Sequence, residues 1–356
     1  MEKVYWIKIH DQESSIIRAE KVRRLIERSG MLNGFESEDM VGIKLHFGEK
    51  ENDTHIAPAW VRPVVEELKK RGAKPFLTDT CVLYRGQRHN AVDHLMLAYR
   101  HGFTVKNLGA PVLIADGLLG NNEREVAVAG ELFQRVALAS AALEANGLVV
   151  MSHVTGHIST GMGAAIKNLG MGFASRKGKL RQHSVMKPAV SPKKCTGCGV
   201  CIEWCPADAI RMDGDKAVID EKKCIGCGEC LTVCRFHAVK HDWRMNEREL
   251  QQRMAEHALG VVKGREKKIS YLNFLTSITK DCDCFGKKQD PVIPDIGILA
   301  GRDPVAMDMA GLDLIERLTG KQLEAYSYPD THPRWQIEHA EKVGLGSCRY
   351  ELVEVD

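Results

Sequence analysis

The chain has 356 residues, enough for about two or three domains. Hydrophobic residues make up 44% and charged residues 27%, an ordinary balance for a globular protein. A net charge of +3 is too small to argue for a nucleic-acid or membrane-surface partner, and no apolar run reaches the ~20 residues a bilayer span needs.

The start, Met1-Glu2-Lys3-Val4-Tyr5-Trp6, lacks the layout of a signal peptide, so a cytoplasmic location is expected. Residues 4–9 alternate and read as a strand. Ser14 and Ser15 precede a helical face at Ile17, Val22, Leu25 and Ile26, which Gly30 stops. Residues 40–47 form a second strand, ending in Lys44 and His46. Pro58 opens a helix to Lys70, and a strand over 74–78 runs into Asp79-Thr80-Cys81. A helix spans 89–101, and 105–128 reads as short strands and turns. Residues 138–145 read as helix and 147–152 as a continuous apolar strand. A glycine-rich run then carries His153, His157, Lys167 and Asn168, with a helix over 164–169. Past the cysteine segment, 246–258 is helical and 268–278 is strand and loop, followed by Asp281-Cys282-Asp283-Cys284. Strand 295–300, helices 304–318 and 337–343, and a final strand 351–355 close the chain.

Between these halves, Cys195, Cys198, Cys201 and Cys205 are spaced C-x2-C-x2-C-x3-C, with Pro206 next. The spacing recurs at Cys224, Cys227, Cys230 and Cys234. This double pattern is the ligand set of two [4Fe–4S] clusters. Three cysteines wrap one cubane and the fourth crosses to the other. One cluster is therefore assigned to Cys195, Cys198, Cys201 and Cys234, the other to Cys224, Cys227, Cys230 and Cys205. Zinc is the alternative reading of CxxC pairs, but a tetrahedral zinc site needs only two such pairs, and here each half offers a third cysteine plus a fourth. Gly197, Gly199, Gly226 and Gly228 let the backbone turn its N–H groups toward sulfur. The stretch resembles a bacterial two-cluster ferredoxin, except that Arg235 stands where proline usually follows the last cysteine. Residues 187–242 carry nine Lys/Arg and eight Asp/Glu. A diffusing carrier would need a single-sign steering field, so this near-neutral segment suits a module fixed to its own chain.

Strands alternate with helices on both sides. The expected fold is therefore α/β, with a mainly parallel sheet flanked by helices. Residues 1–186 and 243–356 are read as one discontinuous domain, and 187–242 as an inserted ferredoxin-like α+β module, because no Gly/Ser or Pro-rich linker separates them. Residues 41–48, Thr78-Asp79-Thr80, Tyr84-Arg85-Gly86, Arg88, 161–172 and 301–308 resemble the family catalogued as domain of unknown function 362. The resemblance implies an iron–sulfur protein with an α/β body. It implies no reaction and no catalytic residue.

Sites in α/β sheets lie beyond the carboxyl ends of strands. Five groups are expected to converge there: Lys44/His46, Asp79/Thr80/Cys81, His153/His157, Lys167/Asn168 and Asp303/Asp308. For Asp303, a helix cap is the competing role. The run 156–172 could cradle an anion with Lys167, but it matches neither the P-loop nor the dinucleotide spacing. Cys282 and Cys284 suit a soft metal or a redox step, with two buried thiols at a turn as the plain alternative. Cys348 reads as structural.

The sequence thus points to an oxidoreductase. Single electrons would pass from a redox partner protein or low-potential donor, through two [4Fe–4S] clusters, to a small-molecule pocket. His153, His157, Lys167 and His46 are its catalytic candidates. A non-catalytic electron-transfer protein, and a cluster- or sulfur-handling protein using Cys282 and Cys284, are the alternatives.

Overall fold

Eight strands build one sheet in the computed structural model, which describes residues 1–84, 86–183, 187–224, 228–240 and 246–356. They are β1 (Glu2–Lys8), β2 (Met40–Lys44), β3 (Lys74–Asp79), β4 (Val112–Ile114), β5 (Gly147–His153), β6 (Ile269–Leu275), β7 (Gly297–Gly301) and β8 (Tyr350–Val355). Their spatial order is β8-β1-β7-β6-β5-β2-β3-β4. Five neighbouring pairs are parallel; only β7 runs against its neighbours β1 and β6. Strands from before and after the cysteine segment share this sheet. The α/β class expected from the alternating elements holds.

The central strands read as unbroken apolar runs because both sheet faces are covered. Along β5, Leu148 and Val150 enter one core while Val149 and Met151 enter the other. One face is covered by α1 (Ser15–Ser29) and α2 (Pro58–Lys70), through Val22, Leu25, Ile26, Val61, Val64 and Leu68. Ser14 caps α1 by accepting from the Ile17 N–H at 3.3 Å, and Gly30 ends it at φ 58°. A further helix, α3 (Ala91–Arg100), precedes β4. The opposite face is covered by α4 (Ala165–Gly170), α6 (Glu247–Val262), α7 (Pro304–Thr319) and α8 (Arg334–Lys342). Between α4 and α6 lies α5 (Arg176–His183). Among the described residues, no helix is long and apolar enough to cross a membrane.

One local expectation changes, at 138–145; 105–128 keeps its short strands, and one helix goes unread. The stretch 105–128 contributes a strand, β4, to the sheet edge. The stretch 138–145 divides into the strand Arg135–Ala139, paired with Glu123–Ala127, and the short helix Ser140–Glu144. The helix α5 was invisible because its buried side chains include Arg176, Lys179 and Gln182, which show no apolar period.

Residues 187–240 form a small layer against α5. They hold the antiparallel pairs Ala189–Val190 with Val239–Lys240 and Ile210–Asp213 with Lys216–Ile219, plus the short helices Val200–Glu203 and Glu229–Val233. Ile210, Ala217, Cys230, Leu231 and Val239 make its core, and Leu83 and Leu180 of the body enter the same core. Gly199 and Gly228 precede the two helices at equivalent positions and are left-handed, at φ 75° and 79°. At Gly228 a Cβ would also stand 2.3 Å from the tip of the Leu180 side chain, so a larger residue would be strained there and would push that leucine aside. Gly226, Cys227 and Asp242 lie outside the described residues, as does Arg85.

Candidate functional site

The parallel strands bring their last residues to one end of the sheet. Lys44 ends β2, Asp79 ends β3 and His153 ends β5, and all three line a cavity of about 690 Å³. Four of the five expected groups meet there: Lys44/His46, Asp79/Thr80, His153/His157 and Lys167/Asn168. Cys282 and Cys284 join them from the loop after β6, and Lys179 from α5.

A buried charge network forms one wall. Lys44 Nζ lies 2.9 Å from Asp79 Oδ1 and donates to Asn168 Oδ1 at 2.7 Å. Asn168 in turn donates to the Met151 carbonyl at 2.9 Å, so β2, β5 and α4 are tied together at the site. Arg88 joins Asp79 at 3.5 Å and Glu49 at 3.2 Å, and also donates to the Tyr84 hydroxyl. Burial works against ionisation of Asp79, but Lys44, His94 and Arg88 outweigh it and hold the carboxyl well below its usual range. Lys179 donates to Thr80 Oγ1 at 2.6 Å, and burial brings its pKa down to about 8.

The loop 281–284 is pinned by its acidic residues. Asp283 lies 2.9 Å from His153 Nδ1 and accepts from Asn52 at 3.2 Å and Thr54 at 3.1 Å. Asp281 accepts from the Tyr328 hydroxyl and pairs with Lys287 at 2.9 Å. The Cys282 thiol hydrogen-bonds the Cys284 sulfur, which lowers the Cys284 pKa well below that of a free thiol. Burial opposes this, while Lys167 and His46 reinforce it. The shared proton and burial push Cys282 the other way. Burial disfavours the Lys167 ammonium, but the two sulfurs outweigh it and raise its pKa.

The three histidines play different parts. Both His153 nitrogens face acceptors, Asp283 and the Thr276 carbonyl at 2.9 Å, so both donate. Burial disfavours that cation, but Asp283 outweighs it and raises the His153 pKa. Its protons are therefore committed to holding the loop. His157 Nδ1 accepts from the Ser159 and Thr160 N–H groups at 3.1 Å each, which leaves its proton on Nε2. Burial, helped by Lys167, brings its pKa down to about 3 and keeps it neutral. His46 Nδ1 accepts from the Gly48 N–H at 2.9 Å.

The expected convergence fails for three residues. Cys81 is buried behind the wall, where its N–H donates to Asp116 Oδ1 at 2.9 Å. Asp303 caps α7 at the far end of the sheet, accepting from the Val305 N–H at 2.8 Å. Its strand β7 is antiparallel, so the carboxyl-end rule does not carry it to the cavity. Asp308 is buried and accepts from the Ala165 and Ile166 N–H groups at 2.8 and 2.9 Å and from Asn273 at 2.8 Å. It fixes the start of α4, and so acts on Lys167 and Asn168 from behind. Cys348 sits away from the cavity, its N–H donating to Glu341 at 2.7 Å. Sequence reading missed Glu49 and Lys179 and gave Arg88 no role. Arg88 stood within the family-like run, but Lys179 carried no signal.

The cysteine segment fits a sulfur-bridged group. Backbone N–H groups donate to sulfur at equivalent places: Ala209 to Cys205 and Ala238 to Cys234, both at 3.2 Å, with Ala217 to Cys195 at 3.4 Å. Burial, then the neighbouring Cys195, Cys198 and Cys234 sulfurs, push the Cys201 thiol up. These four are the first assigned set. Of the second set, Cys205, Cys224 and Cys230 line one small cavity, while Cys227 lies outside the described residues. Among the described residues, no three His, Cys, Asp or Glu side chains gather on one point. In a cubane each cysteine holds its own iron, so the four sulfurs spread around it.

The family model described as "Domain of unknown function (DUF362)" matches residues 41–313. No curated protein matches the chain. Among solved structures, the lactate racemase apoprotein of Thermoanaerobacterium thermosaccharolyticum is similar at 12% identity and TM-score 0.38, over 76% of this chain and 50% of that one. A structural-genomics protein of Thermotoga maritima is similar at 11% identity and TM-score 0.42, over 87% of this chain and 59% of that one. The chain thus spans only 50–59% of the length of these two structures.

Proposed function

The chain belongs to the DUF362 family, and we propose that it is an iron–sulfur oxidoreductase that relays single electrons to the cavity. Cys195, Cys198, Cys201 and Cys234 would hold one [4Fe–4S] cluster, and Cys224, Cys227, Cys230 and Cys205 the other. When bound, these groups supply one-electron storage and transfer. The observation that carries the reading is the shared core: Cys230 packs in one apolar group with Leu83 and Leu180, and Leu83 also lines the cavity. One cysteine set therefore adjoins the cavity wall.

Within the cavity, the chain's own residues bind and orient. Among the described residues, neither Lys167 nor Lys179 lies within ion-pair distance of a carboxylate, so both are available to an anionic substrate. His157 offers its Nε2–H as a donor. The working location in this reading is the cytoplasm, with a low-potential redox protein as electron donor.

The test is anaerobic reconstitution, reduction and a search for substrate-dependent reoxidation. Lys167→Ala and His157→Ala should abolish it. Normal reoxidation by a partner protein with both variants would instead make the chain a carrier. Cluster or sulfur handling at Cys282 and Cys284 is a second reading, favoured by the thiol–thiolate contact. It predicts metal or sulfane sulfur beyond about eight irons per chain, removed by replacing both cysteines.

A further inference from the structure

We propose that Cys282 and Cys284 are a dithiol that reduces a small anionic disulfide bound in the cavity. Asp283, between them, lines the cavity but is held by His153, Asn52 and Thr54, at 2.9–3.2 Å. The chain turns tightly here, with the Phe285 N–H donating to the Cys282 carbonyl at 3.0 Å. Cys282 and Cys284 both line the cavity, two residues apart on this turn. Cys284 is half-buried and Cys282 is buried. That order suits an attacking sulfur and a resolving one.

The surroundings choose against a soft cation and for an anion. Lys167 lines the same cavity as both cysteines, and its ammonium would repel a metal ion placed beside them. The same ammonium, with Lys179 and the His157 N–H, favours a ligand carrying carboxylates or phosphates. A cavity of about 690 Å³ takes a small molecule rather than a protein loop.

The chemistry balances without an outside reagent. The Cys284 thiolate attacks one sulfur of the disulfide; a Cys284–substrate bond forms, the substrate S–S bond breaks, and one thiolate leaves. Cys282 then gives up its proton and attacks Cys284. The second substrate thiol leaves with that proton, and a Cys282–Cys284 disulfide remains. Each turnover consumes the dithiol once. Its return needs two electrons and two protons, which rests on the relay proposed above.

The experiment uses the full chain, prepared anaerobically with iron and sulfide counted, and glutathione disulfide as probe. The wild type should release two thiols per chain and lose two hydrogens of mass, placed between Cys282 and Cys284 by peptide mapping. Cys282→Ser should trap one glutathione on Cys284. Cys284→Ser should slow thiol release about a hundredfold. Lys167→Met should slow it about tenfold at pH 7 and move its pH dependence upward. An uncharged dialkyl disulfide should react more slowly than the anionic probe. Modification at other cysteines, or Cys284→Ser reacting like wild type, would overturn the proposal. None of these readouts needs the relay. Intact exchange with no repeated turnover under dithionite would therefore indict the relay and leave the dithiol standing.

Discussion

Two groups of sulfur atoms in this chain are stabilised by opposite means. In the segment 187–240, Cys195, Cys205 and Cys234 receive backbone N–H groups from Ala217, Ala209 and Ala238. In the cavity, Cys284 is stabilised by a neighbouring thiol, the Lys167 ammonium and His46. Fixed dipoles suit a group that must change charge by one unit without moving its surroundings. A full cation suits a single sulfur that must act as a nucleophile. In the proposed reading, the first group stores electrons and the second does the chemistry.

The comparison can be broken most sharply at Cys201. Cys201→Ala should remove one cluster, dropping iron from about eight to about four per chain. The exchange at Cys284 should be unaffected. If iron content and cavity thiol reactivity fall together, the two groups are not separate. The next test is the reverse. Cys284→Ser should leave iron and sulfide unchanged while reoxidation by substrate falls about a hundredfold.

A smaller effect should come from Asp308→Asn. One oxygen would still accept an N–H, but the amide would face the second donor at the start of α4. We expect a loss of about 2 kcal/mol in urea unfolding, with weaker substrate binding through Lys167 and Asn168. The gentlest test is pH. Burial brings His94 and His257 down to about 4 from an ordinary 6.5. The unfolded chain therefore takes up protons first as pH falls. Stability should be full above pH 6.5 and decline toward pH 4, by at most ~1.4 kcal/mol per pH unit for each histidine. Urea midpoints at pH 7, 6 and 5 would show it.

How far the sequence could be read also divides along this line. The cysteine segment announces itself because its cysteines are close in the chain and regularly spaced. The cavity draws on residues from 44 to 286, and only the carboxyl-end rule for parallel strands connects them. That rule found Lys44, Asp79, His153 and, with the glycine-rich run, Lys167. It misplaced Asp303 because β7 is the one strand of the eight-stranded sheet that runs backwards, a fact of tertiary pairing with no local trace. It missed Lys179 because α5 buries cations instead of an apolar stripe.

The helix α5 has a consequence for anyone who would exchange parts. Its Lys179 faces the cavity, while its Leu180 lies in the core around Cys230, and its Arg176 donates to the Thr232 carbonyl at 2.9 Å. A foreign ferredoxin grafted in place of 187–242 would meet Leu180 directly. Any donor with a side chain where Gly228 stands would press on Leu180, the neighbour of Lys179 in that helix. Such chimeras should fail at the cavity even when the transplanted part is sound, and a bare glycine at that junction is the feature to carry across.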